Sequence, residues 1–207
     1  MHDSHLILAS GSPRRAQILA AAGIGFTVLV PSIDDADAPA DGGDPGRYVM
    51  SLAWFKARQV LAEAIARFGS GGPRWVLAAD TMCVREGEVI GKPADCESAE
   101  RMIRSFESRS HEVVTGVCLV DRSAGARSIF ADSARVSLGT LSPEALARHL
   151  DSGAWRGKAG GYNLPDRVLD GWNISVVGDE TCVMGLPMGV VMSLLLEHCP
   201  GVLEGLA

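Results

Sequence analysis

Leu6-Ile7-Leu8-Ala9-Ser10-Gly11-Ser12-Pro13-Arg14-Arg15-Ala16-Gln17-Ile18-Leu19-Ala20 changes character twice within a short span. The apolar run from His5 to Ala9 suits a buried strand, and Ser10 to Pro13 suits a tight turn. The residues after it have helical character, with Ser12 placed to cap the helix and Pro13 suited to its first position. Strand, turn and helix in this order open an α/β unit. Gly23 stops the helix, and Phe26 to Val30 reads as a second strand. Residues 31–46, rich in Asp, Pro and Gly, form a loop.

The rest of the chain extends that pattern. A long helix is predicted from about Pro45 to Phe68, ended by the glycines up to Pro73. Trp75 to Ala79 reads as a buried strand that delivers Asp80 and Thr81 at its end. Glu86-Gly87 is a hairpin turn before Val89-Ile90. Glu97 to Glu107 is a helix, and Glu112 to Val120 and Ser128 to Leu138 are strands about the turn Ser123 to Gly125. Ser142 caps a helix that runs to Asp151, and residues 153–173 form a Gly-rich stretch. Ile174 to Val177 is the last strand and Met188 to His198 the last helix. Crossover and hairpin connections together predict an α/β fold with a mixed sheet. No repeat or linker divides the chain, so residues 1–207 read as one domain.

Composition narrows the function classes. The 207 residues are 47% hydrophobic and 21% charged, which excludes disorder over most of the length. A net charge of −6 argues against a general polyanion-binding surface, and 5% aromatics against a stacking platform for single strands. No nucleic acid polymer is expected as partner. The five cysteines, at 83, 96, 118, 182 and 199, contain no CxxC pair and point to a reducing compartment. With no signal pattern and no apolar stretch near ~20 residues, the expectation is a cytoplasmic protein without membrane contact.

The turn Ser10 to Arg15 exposes backbone N–H groups and the positive end of a helix dipole, a suitable anion site. An ordinary capped helix with two solvated arginines fits those six residues equally well. Gly87 to Lys92 and Gly153 to Lys158 resemble phosphate-binding loops. Both have one residue too few between the glycines and no Ser or Thr after the Lys, which rejects a P-loop. A carboxylate leaving an apolar strand, as Asp80 does, must be solvated, paired or metal-bound. Asp34, Asp35 and Asp37 could supply a second hard oxygen ligand for Mg²⁺. Lys56 in isolation reads as a snorkelling lysine, and His111 as structural.

Taken together, these segments resemble the Maf family of nucleoside triphosphate pyrophosphatases over nearly the whole chain. The resemblance rests on Leu8 to Arg15, the acidic loop, Leu52-Ala53-Trp54-Phe55-Lys56-Ala57, Ala79-Asp80-Thr81, Gly91-Lys92-Pro93, Thr115-Gly116-Val117, Gly157 to Tyr162 and Val183 to Pro187. It implies a two-lobed α/β fold with a central cleft, akin to the inosine triphosphate pyrophosphatases. It also implies hydrolysis of a nucleoside triphosphate to monophosphate and pyrophosphate with a divalent metal, Mg²⁺ or Mn²⁺, in nucleotide-pool housecleaning, by a homodimer. Motif by motif, it places Asp80, Lys56, Lys92 and Arg14 in catalysis and Ser10, Ser12, Arg15, Thr81 and Lys158 on the substrate. Asp35 and Asp80 fall to the metal; Asp35 stands where the family usually has Glu.

Arg15 and Thr81 resemble the branch acting on dTTP and UTP. That branch carries a Gln shortly after the Lys-Ala-Gly-x-Tyr motif, where this chain has Pro165. Proline offers neither a side-chain amide nor a backbone N–H, so the expectation is a pyrimidine-leaning enzyme of broader range. Two alternatives stand beside it: a nucleotide-binding regulator of septum formation with weak or no hydrolysis, and a phosphomonoesterase releasing orthophosphate.

Overall fold

The computed structural model describes residues 5–32, 43–69 and 71–203. Strands β1 (Leu6–Ala9), β2 (Phe26–Leu29), β3 (Trp75–Arg85), β4 (Glu88–Ile90), β5 (Arg109–Asp121), β6 (Arg127–Leu138) and β7 (Ile174–Val177) make one mixed sheet. Its order is β2-β1-β3-β5-β6-β7, with β4 paired to β3. β1 lies parallel to both β2 and β3, while the remaining pairs are antiparallel. The mixed α/β fold expected from the alternation of elements is therefore present.

Helices α1 (Pro13–Ala21) and α7 (Met188–His198) cover one face of the parallel part, and α2 (Pro45–Phe68) covers the other. The first core gathers Leu6, Leu8, Leu19, Leu77, Ala79, Val117, Leu186, Val191 and Leu195. The second sets Ile7, Ala9, Val76, Ala78 and Cys118 against Ala53, Ala57, Val60 and Ala64 of α2. Alternate residues of β1 and β3 divide between the two cores, as the two-residue period of a strand requires. Helices α3 (Cys96–Phe106) and α4 (Pro143–Asp151) build a third core farther along, with Ile103, Phe106, Leu138, Leu146, Tyr162 and Trp172. The short helices α5 (Leu164–Leu169) and α6 (Glu180–Val183) complete the described chain.

One glycine sets the height of α2 above the sheet. Gly116 on β5 stands opposite Asp80 on β3. A Cβ there would lie 2.4 Å from the Val49 carbonyl carbon, 2.5 Å from its oxygen and 2.6 Å from Met50 N. The helix backbone thus rests on the glycine itself, beside the strand position that carries Asp80.

The expectation that Asp80 ends its strand is not met. β3 continues to Arg85, and Asp80 lies near its middle. β5 pairs with β3 from Trp75 to Val84 and occupies one whole edge. On the other edge β1 pairs up to Ala78 and β4 begins at Cys83. Asp80 and Thr81 therefore sit where one neighbour has ended and the next has not begun. The polar pair marks a break in the edge rather than the end of the strand.

Candidate active site

A cavity of about 770 Å³ opens at that break, within the usual size of a small-ligand site. Ser10, Gly11, Ser12, Arg14 and Arg15 reach it from the turn into α1. Lys56 comes from α2, Lys92 from the segment after β4, and Arg156 and Lys158 from the Gly-rich stretch. The two Gly-Lys segments that are not P-loops meet here, since Gly160 N donates to Gly91 O at 3.1 Å. That turn needs glycine: Gly160 and Gly161 both have φ +76.

Lys56 and Asp80 form an ion pair at 2.5 Å, with both side chains buried. Lys56 shares the buried stripe of α2 with Val49, Ala53 and Val60. The helical period aims it at the sheet, and the snorkelling alternative does not hold. An ion pair this buried costs heavily in desolvation, which makes it weak as a stability device and points to use.

Asp80 and Thr81, as consecutive strand residues, face opposite sides of the sheet. On the Thr81 side lies Arg15, buried rather than solvated. Its guanidinium donates to Gly185 O (2.7 Å), Ser10 Oγ (3.1 Å) and Thr81 Oγ1 (3.0 Å). Thr81 Oγ1 also lies 3.0 Å from Thr115 Oγ1, whose hydroxyl donates to Cys182 O. Arg15 thereby ties the first helix to β3 and to the Gly185 turn. Ser12 caps α1, accepting from Arg15 N at 3.5 Å, and Ser10 Oγ accepts from Ser12 N at 3.1 Å.

Lys158 donates to Ala154 O, and its pKa is lowered by burial first and then by the positive charge of Arg14. Two cations held close around a cavity favour an anion between them. Asp34, Asp35 and Asp37 lie outside the described residues. Among the described residues no three His, Cys, Asp or Glu side chains cluster as a metal site.

Three features carry no local signal in the sequence. Arg156 lines the cavity from within the Gly153 to Lys158 segment, which is not a P-loop. His111, taken as structural, lines it as well. His149 fixes the turn before Tyr162: its Nδ1 accepts from Arg167 at 2.9 Å, so Nε2 carries the proton and donates to Gly161 O at 2.8 Å. No periodicity in the sequence announces that contact.

The Maf-like protein family model matches residues 5–198. A dTTP/UTP pyrophosphatase of Rhodopirellula baltica is 40% identical over 193 residues, covering 92% of this chain and 80% of that protein. Another, of Nitratidesulfovibrio vulgaris, is 36% identical over 199 residues, covering 94% and 90%. The solved structure of the Staphylococcus aureus Ham1 protein has 13% identity and a TM-score of 0.41, covering 78% of this chain and 82% of that one.

Proposed function

The chain belongs to the Maf-like protein family, and on that premise we propose that it hydrolyses nucleoside triphosphates, dTTP and UTP foremost, to the monophosphate and pyrophosphate. Its relatives bear the name dTTP/UTP pyrophosphatase. The observation that carries the reading is the buried Lys56–Asp80 pair beside a cavity ringed by Arg14, Lys92 and Lys158. The role suggested is removal of unwanted nucleotides from the cytoplasmic pool.

Attack on the α-phosphorus needs negative charge neutralised and a water oriented. Arg14, Lys92 and Lys158 supply cations for the phosphate chain, and the turn at Ser10 to Ser12 supplies hydroxyl and N–H contacts. Lys56 holds Asp80 in one orientation, so its carboxylate can order the attacking water. Arg15 and Thr81 form the wall on the opposite side of the sheet, where the resemblance puts base selection.

A divalent cation fits this donor set only as a partner of the substrate. Mg²⁺ commonly takes one or two carboxylates and completes its shell with waters and phosphate oxygens, and Asp80 offers one such carboxylate. Asp80 would hold it, with Asp35 the second ligand the resemblance names. When bound it supplies Lewis-acid neutralisation of phosphate charge.

Pro165 is the second residue of α5 and Asn163 is its cap. The Asn163 side chain accepts from Asp166 N at 2.9 Å and its amide nitrogen donates to the Asp166 carboxylate. A residue so engaged is a poor substitute for the missing Gln, which supports the broader substrate range. The resemblance also suggests a homodimer and a single domain over residues 1–207. Among the described residues no helix is long and apolar enough to cross a membrane.

The test incubates the protein with dTTP, UTP, CTP, GTP and 7-methyl-GTP and Mg²⁺, measuring pyrophosphate, orthophosphate and kcat/KM. Pyrophosphate from dTTP and UTP, silenced by EDTA and restored by Mg²⁺ or Mn²⁺, is the expected result. Orthophosphate as the product, or binding without turnover, would favour the phosphomonoesterase or the septum regulator. Full activity in EDTA would remove the metal.

A further inference from the structure

Among the described residues that line the cavity none is Asp or Glu, whereas Arg14, Arg15, Lys56, Lys92, Arg156 and Lys158 are all cations. Lys56 is balanced by Asp80 behind it, and Arg15 is tied to Gly185 O, Ser10 Oγ and Thr81 Oγ1. Like charges gathered around one space repel until an anion enters it.

Arg156 is exposed, and its guanidinium has no hydrogen-bond acceptor or ion-pair partner among the described residues. It is nevertheless held in place. Its Cζ lies 4.6 Å from the centroid of the Trp155 ring, a cation–π contact. Trp155 is 3% exposed and anchored, since its Nε1 donates to Leu150 O at 3.1 Å. The guanidinium also fills the space beside Gly153: a Cβ there would run into Nη1 and lie 3.2 Å from Cζ. Gly153 has φ +65, which suits glycine for a second reason.

The loop under this side chain is pinned as well. Arg156 N donates to Gly153 O at 3.1 Å and Lys158 N to Trp155 O at 3.3 Å, while Lys158 Nζ donates to Ala154 O. An arginine placed in advance by a buried indole gives up little freedom when a ligand arrives. Its N–H donors are still unspent, and their planar fork matches the oxygens of a phosphate.

We infer that Arg156 is a further substrate-binding residue, which donates to oxygens of the phosphate chain from its seat on Trp155 and Gly153. The inference rests on the reading that this cavity takes a nucleoside triphosphate. A triphosphate carries several negative charges, and Arg156 shares its short loop with Lys158, itself near enough to Arg14 to feel that charge.

Two substitutions separate this role from a structural one. Arg156→Gln keeps part of the stem over Trp155 and removes the charge and the fork. The KM for dTTP and the inhibition constant of inorganic tripolyphosphate should rise together by about tenfold, as expected for a lost charge-assisted hydrogen bond. The inhibition constant of thymidine, which has no phosphate, should stay within about twofold. Arg156→Lys restores the charge without the fork and should recover part of the loss. An unchanged KM or tripolyphosphate constant in Arg156→Gln, a parallel rise for thymidine, or no recovery in Arg156→Lys overturns the inference. Should a variant fail to fold, the parent itself gives a second test, by phenylglyoxal labelling of arginines read peptide by peptide in a mass spectrometer. Protection of Arg156 by tripolyphosphate but not by thymidine supports the role; equal labelling with and without tripolyphosphate overturns it. A parent that releases pyrophosphate from no nucleotide defeats the functional reading itself, so the two failures are distinguishable.

Discussion

Gly116→Ala is a one-carbon change that should reach the chemistry through the fold. The added Cβ would sit 2.4 to 2.6 Å from backbone atoms of Val49 and Met50, and ordinary contact begins nearly 1 Å farther out. Backbone cannot turn aside as a flexible side chain can, so α2 must lift from the sheet by about 1 Å or β5 must bend. Overpacking of this severity costs about 3 kcal/mol, which for a chain of this length lowers Tm by roughly 6–12 °C. Lys56 lies two turns along the same buried stripe of α2, and its partner Asp80 stands directly opposite Gly116. A lift of α2 therefore opens the 2.5 Å ion pair, and a misplacement of about 1 Å in a catalytic group can cost roughly a hundredfold in rate. Thermal melting followed by circular dichroism, with pyrophosphate release assayed well below the lowered Tm, reads both effects. A Tm within 2 °C of the parent, or full turnover in the folded variant, would refute the claim that this glycine sets the position of Lys56.

Asp80→Asn keeps the shape and removes the charge, so turnover should fall by about 10²–10⁴-fold while nucleotide binding, measured by calorimetry, persists. Arg122 donates to Gly69 O (3.0 Å), Gly71 O (3.1 Å) and Pro73 O at the end of α2, and Arg122→Ala should cost about 2 kcal/mol, seen as a Tm lower by roughly 4–8 °C. The Arg74 guanidinium, with the Ser123 hydroxyl and backbone, holds the Asp121 carboxyl well below the usual carboxylate range. Its contribution is present above the unfolded value of about 3.9 and lost as pH falls toward the folded one, so the Tm gap between the parent and Asp121→Asn should be widest near pH 7 and narrow below pH ~4.

Elements bounded by local chemistry were legible in the amino-acid sequence. The Ser12 cap and Pro13 mark the start of α1, and Pro45–Phe68 and Met188–His198 have the expected bounds because their ends carry Pro, Gly or a cap. Elements held by long-range pairing were less so. β3 runs through Asp80 because β5 pairs along its whole length, information held forty residues away. α5 and α6 are too short for a helical period to show and were hidden in polar, Gly-rich sequence. In the site, the motifs identified Lys56, Lys92 and Lys158, which line one cavity, and Asp80, which reaches it through its ion pair with Lys56. The burial of Arg15 and the cavity position of His111 depend on partners at Gly185, Thr81 and Tyr162, which no local pattern reveals.

Hydrolysis of dTTP in water enriched in oxygen-18, with the products resolved by mass spectrometry, tests the central claim most directly. Attack on the α-phosphorus places the label in the thymidine monophosphate and leaves the pyrophosphate unlabelled. Label in the pyrophosphate, or labelled orthophosphate as the product, would contradict it.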